Sequence, residues 1–114
     1  MINPNWFVYH QPTDVTGPKF KAIRMAEFSA QRIVDAADFD TVNDLCLKFA
    51  QVIDDNCPDC DDKKRAIDAV RLARNGANEC IVIASDDETL RSYVVMKLRE
   101  ARWLANSAIA LEGE

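Results

Sequence analysis

Tyr9 and Arg24, fifteen residues apart, are the pair whose types and spacing best suit recognition of a small ligand. An aromatic face stacks on a nucleobase, and a guanidinium makes charge-assisted hydrogen bonds to phosphate, so the two together form a nucleotide site that requires no chemistry. Trp6, Phe7 and His10 cluster around the tyrosine, and Lys19 and Lys21 stand near the arginine. The same aromatics have a plainer use: Trp6, Phe7 and Tyr9 would cover the end of a helical bundle and bind nothing. From residue types alone this lid is the simpler reading.

Other constellations point less clearly to chemistry. Cys57-Pro58-Asp59-Cys60 is a C-x-x-C, but it follows a helical pattern and lacks the βαβ surroundings of a thioredoxin-like site. A structural zinc site would need two further ligands. Cys46 and Cys80 fall on apolar stripes and His10 is the single histidine, so a turn followed by a helix cap is the default and no metal site is expected. No Gly-x-Ser-x-Gly elbow, Walker loop or dinucleotide fingerprint occurs. The acid pairs Asp54-Asp55, Asp61-Asp62 and Asp86-Asp87 sit at helix ends, where carboxylates commonly answer the helix dipole. No catalytic residue and no cofactor are expected, and an enzyme is the least favoured class.

Composition narrows the classes further. The 114 residues carry a formal net charge of −5, which disfavours a protein that grips duplex nucleic acid along its backbone. No apolar run reaches the roughly 18–20 residues of a membrane span, and Met1 to Asn5 lacks the pattern of a secretory signal. Without an export signal, four reduced cysteines in a cytoplasm are the simpler expectation. Only three glycines argue against an all-β fold rich in tight turns.

The elements that must position these residues follow from periodicity. Residues 1–18 read as an extended arm, since Pro4, Pro12, Gly17 and Pro18 forbid a continuous helix. From Lys19 one stripe runs through Phe20, Ile23, Ala26, Ala30, Ile33, Val34 and Ala37. After a break near Asp38 to Thr41, with Asp40 or Thr41 as N-cap, a second stripe runs through Val42, Leu45, Cys46, Phe49, Val52 and Ile53. Past the turn at Asn56 to Asp59, a third helix opens at Asp59 or Cys60 and carries Ala66, Ile67, Val70, Ala73, Ala77, Cys80 and Ile81. The small residues Ala73, Gly76 and Ala77 would admit a neighbouring helix closely. The segment Ile81-Val82-Ile83-Ala84 is ambiguous between helix end and strand. Ser85 and Glu88 then have the spacing of a capping box, and a last helix carries Leu90, Val94, Leu98, Ala101, Ala105, Ala108 and Ile109 up to Gly113. A weak echo, Arg-x-Ala-Arg-x-x-Ala-Asn-x-x-Ile, begins at Arg71 and again at Arg99; a shared packing role explains it best.

Several short motifs carry a family resemblance. Tyr9-His10-x-Pro12 leading to Lys19-Phe20-x-Ala22-Ile23-Arg24, the stretch Phe49 to Pro58 running into Asp62-Lys63-x-x-Ala66-Ile67, and above all Leu98-Arg99-Glu100-Ala101-x-Trp103-x-Ala105-Asn106-Ser107-Ala108-Ile109 are similar to the helical hairpin domain of phage sponge proteins that counter CBASS and Thoeris immunity. The resemblance implies a small homo-oligomer, often a hexamer, that traps cyclic di- or trinucleotides or cyclic ADP-ribose derivatives in the host cytoplasm without cleaving them. It also implies that Tyr9 stacks on a base and Arg24 contacts phosphate, in pockets formed between subunits. Relative to that hairpin, this chain has an extra stretch of helix between the opening and closing motifs.

The expected protein is therefore all-α: a long antiparallel hairpin or small bundle spanning 19–114 behind an arm of 1–18. It would oligomerise through small-residue faces and sequester a cyclic nucleotide signal through Tyr9, Arg24, Lys19, Lys21, Phe7, His10 and Trp6. The rival expectation is a helical accessory protein that binds a host protein, consistent with the acidic charge and with two tryptophans, Trp6 and Trp103, that look exposed.

Overall fold

Pro18 opens the first helix because its fixed φ already suits a helical turn, and its missing N–H falls where no intrahelical acceptor exists. The computed structural model describes residues 17–83 and 88–112, the last two of these as backbone only. They form four helices and no strand: α1 (Pro18–Asp35), α2 (Phe39–Asn56), α3 (Asp61–Ile83) and α4 (Glu88–Glu112). Of the two expected all-α arrangements, the small bundle is the one observed.

The break between α1 and α2 is tighter than the sequence suggests. Ala37 adopts a left-handed conformation with φ 59°. Its N–H reaches Val34 O at 2.9 Å, and the N–H of Asp38 reaches Ile33 O at 3.3 Å. This is the paired bonding by which a helix closes on a left-handed residue, a place usually held by glycine. Asp38 then caps α2, accepting from Thr41 N at 3.3 Å and from Thr41 Oγ1 at 2.7 Å. The cap expected at Asp40 or Thr41 is thus moved to Asp38, the first residue past the reversal with an acceptor to offer. Asp40 and Thr41 lie inside the first turn.

The second break follows the expected chemistry. Cys57 is extended, as a residue before proline must usually be, and its N–H bonds Ile53 O at 3.0 Å. The Cys57 thiol donates to Ala105 O at 3.6 Å, tying the turn to α4. The carbonyl of Cys60 accepts from Lys64 N at 3.3 Å as α3 begins, with Asp61 and Asp62 in its first turn. Lys63 braces the turn by pairing with Asp59 at 3.1 Å and Asp54 at 3.2 Å. Those two acceptors raise its proton affinity, the hydrogen bond to Asp59 most of all. Residues 81–83 continue α3 as an exposed helix end, not a strand. Ser85 and the expected capping box fall partly in 84–87, outside the described residues.

Short connections make successive helices antiparallel neighbours, and α4 returns against α1 to close the ring α1–α2–α3–α4. The four stripes read from periodicity meet at its centre: Ile23, Ala30 and Val34; Val42, Cys46, Phe49 and Ile53; Ala66, Ala73 and Ala77; Val94, Leu98, Ala101, Ala105 and Ala108 are all fully buried. Gly76 lies where a Cβ would come within 2.9 Å of Val94 Cγ2 and 3.2 Å of Tyr93 Cδ2. The small-residue stripes are therefore consumed within one protomer, because α3 and α4 approach each other across them. They do not supply the surface for self-association that the sequence suggests. The echo at Arg71 and Arg99 is also accounted for, since its alanines face the core in both helices and its second arginine reaches the adjoining helix. Arg74 Nε donates to Asn43 Oδ1 of α2 at 2.7 Å, and Arg102 Nε lies 3.2 Å from Glu27 Oε1 of α1. No described helix is long and apolar enough to cross a membrane.

Candidate ligand-binding groove between α1 and α4

The seam closing the ring carries exposed large side chains on both of its helices. α1 carries its apolar stripe inward, which turns Arg24, Met25 and Phe28 outward; α4 does the same with Met96, Arg99 and Trp103. Between them runs an open groove of about 620 Å³, walled by Arg24, Met25 and Phe28 on one side and by Arg99, Arg102 and Trp103 on the other. Glu27 and Gln31 complete the lining. Phe28 is 56% and Trp103 65% exposed, and with Met25 and Met96 they leave an apolar patch open on this face.

The groove continues along α4. A second depression of about 660 Å³ shares Arg99 and Trp103 and adds Arg65, Met96 and Leu104. A third, about 450 Å³, shares Met96 and Arg99 and adds Arg91, Val95 and Asp35. Arg99 stands at the junction of all three. In an acidic chain, five of eight arginines (24, 65, 91, 99 and 102) line this one track. Of the four acids beside them, Glu100 is held by Lys97 at 3.0 Å and Glu27 faces Arg102, while Asp35 and Glu88 line the third depression. Arg24 and Arg99 make no hydrogen bond or ion pair among the described residues, so their charge is open to an anion.

Glu27 is the group that sequence reading passed over. Only 4% exposed, it sits at the three- and four-residue steps of the α1 stripe, between Ile23 and Ala30. Arg102 Nε approaches one of its oxygens at 3.2 Å but off the line of a good hydrogen bond, and Glu27 Oε2, Gln31 Nε2 and Asn106 Oδ1 are buried without partners. Burial pushes the Glu27 carboxyl above the usual carboxylate range, with Arg102 and then Arg99 opposing that rise.

Of the residues singled out in the sequence, Arg24 lies in the groove. Lys19 and Lys21, earlier on α1, are exposed but do not line it. Trp6, Phe7, Tyr9 and His10 lie outside the described residues. Arg99, Arg102 and Phe28 were not anticipated. Phe28 carried a signal, a large aromatic off the apolar stripe; the two arginines had only their places flanking core alanines in the repeated motif. No group of three or more His, Cys, Asp or Glu among the described residues is placed to hold a metal. The arrangement offers aromatic faces beside unpaired guanidinium groups, which can bind a planar, anionic molecule.

Comparison with known protein families, curated proteins and solved structures yields no match to this chain.

Proposed function

We propose that this chain binds and sequesters a cyclic nucleotide signal, a cyclic di- or trinucleotide or a cyclic ADP-ribose derivative, without cleaving it. The observation that carries the reading is the juxtaposition of Phe28 and Trp103 with Arg24 and Arg99 around one groove. Each stacked base contributes about 1–3 kcal/mol and each hydrogen bond to a charged group about 1.5–3 kcal/mol. Two of each bring a ligand of this class towards nanomolar affinity. The motif resemblance adds support: α1, with the opening motif, and α4, with the closing one, lie side by side despite the two helices between them in sequence. In this reading Tyr9 supplies a further stacking face, the protein acts as a homo-oligomer in the cytoplasm of a phage-infected cell, and the ligand leaves chemically unchanged.

Calorimetry against a panel of cyclic dinucleotides, cyclic trinucleotides and cyclic ADP-ribose isomers tests it. Heat from at least one, with that compound recovered intact after heat denaturation, supports sequestration. Recovery of a cleaved product points to an enzyme. A second reading, docking of a host protein, is favoured by the exposed Met25, Phe28, Met96 and Trp103 on this face. A stoichiometric host protein captured through that face, with no heat from the panel, selects it instead.

A further inference from the structure

The groove contains a carboxyl group of its own. Glu27 lines it, is almost wholly buried, and lies 3.2 Å from Arg102 Nε as an ion pair without a well-aligned hydrogen bond, while its second oxygen has no partner. The Arg102 side chain is 32% exposed, so its guanidinium reaches both the buried carboxylate and the open space of the groove. A phosphate entering that space meets three guanidinium groups, of which Arg102 alone is already engaged.

Building on the binding reading above, we propose that Glu27 competes with the incoming phosphate for Arg102, and that the carboxylate takes up one proton from solvent as the phosphate takes the guanidinium. The charges that bear on Glu27 are Arg102 and then Arg99 from α4; Arg24 of its own helix lines the same groove, and α2 contributes no residue to the lining. All three face an entering phosphate as well. Drawing Arg102 toward the ligand removes the strongest opposition to burial, and the phosphate adds a second negative charge beside the carboxylate. Both changes favour the protonated acid. The O–H so formed also gives Glu27 a donor to direct at the ligand. Charge balances: one guanidinium moves from carboxylate to phosphate, and one proton arrives from buffer.

The consequence is a pH-dependent affinity. If one proton binds with the anion, affinity rises as pH falls through the interval between the proton affinities of the free and occupied states, by at most about tenfold per pH unit. Inorganic pyrophosphate is the probe, followed by NMR of the Glu27 carboxyl and the arginine side chains of the full chain. Pyrophosphate should shift the Arg102 signals and move the Glu27 titration to higher pH. E27Q, which mimics the uncharged acid with nearly the same shape, should bind pyrophosphate about tenfold tighter at about pH 8 and keep only the pH dependence that pyrophosphate's own protonation imposes. Binding with an unmoved Glu27 titration would overturn the proposal while leaving the nucleotide reading intact. Arginine signals unmoved by pyrophosphate in both proteins would overturn both. Proton uptake with pyrophosphate, together with no heat from any cyclic nucleotide, would uphold this inference and remove the nucleotide reading.

Discussion

Gly76 of α3 sits against Val94 of α4 so closely that a Cβ there would meet Val94 Cγ2 at 2.9 Å. This contact sets how near the two longest helices lie, and hence where α4 presents Arg99 and Trp103. Val94 is fully buried and branched at the β-carbon, so it has little room to yield. Gly76→Ala gains about 1 kcal/mol of helix propensity but overpacks a tight seam, at a cost of about 1–3 kcal/mol. A net loss of about 1 kcal/mol is expected, read from urea denaturation midpoints. An increase in stability would mean that the seam is looser than described.

At the α1–α2 turn the reverse substitution should help. Ala37 holds φ 59°, a conformation that costs a residue with a Cβ about 1 kcal/mol and glycine almost nothing. Ala37→Gly is expected to raise stability by about 0.5 kcal/mol, because the turn is kept and the strain removed. Thermal unfolding of the two proteins checks it.

The buried carboxyl makes a pH prediction. Burial raises the Glu27 proton affinity in the folded chain above its ordinary value of 4.5, so the folded state holds that proton more tightly than the unfolded state. Its contribution to stability is fully present below about pH 4.5 and is lost as pH rises through the folded-state value. Unfolding free energies of the wild type relative to E27Q should therefore decline as pH rises above about 4.5, towards the raised folded-state value. A flat difference would contradict the buried assignment.

Thiol reactivity should separate the four cysteines. Burial pushes the Cys46 thiol up to about 11, against the opposing charge of Arg74, and Cys57 and Cys80 are also buried, whereas Cys60 is partly exposed. Thiolate is the reactive form. One equivalent of a chromogenic disulfide reagent should react with the native protein at about pH 8, at Cys60, and the others only on unfolding. Rapid modification of Cys46 in the native protein would refute this ordering.

How far the sequence could be read depended on the kind of force involved. Helix stripes were legible because burial repeats at three and four residues, and Phe49, Ile53, Val94 and Leu98 fall where that spacing puts them. The Pro58 turn was legible because proline restricts the residue before it. The Ala37 reversal was not, since alanine has no preference for the left-handed region and tertiary packing imposes it. Small residues at 73, 76 and 77 signalled a close helix but could not say whose; α4 of the same protomer answers. Arg24 was readable as a candidate from its type, but its partners Arg99, Arg102 and Trp103 lie more than seventy residues away in sequence and reach it only when α4 closes the ring. Glu27 at a core-facing step was visible in the spacing itself, as a charge interrupting an apolar stripe.

Arg99 lies at the junction of the three depressions and makes no ion pair with a described residue, so its loss should spare the fold and damage binding. The most direct measurement is calorimetry of the wild type and Arg99→Ala, at matched thermal stability, against the panel of cyclic nucleotides and cyclic ADP-ribose isomers. At least one compound should bind the wild type, and its affinity should fall by about 10- to 100-fold in Arg99→Ala, as expected when a charged hydrogen bond of about 1.5–3 kcal/mol is removed. No heat from any compound with folded wild-type protein, or binding unaffected by the substitution, would contradict a ligand site in the α1–α4 groove.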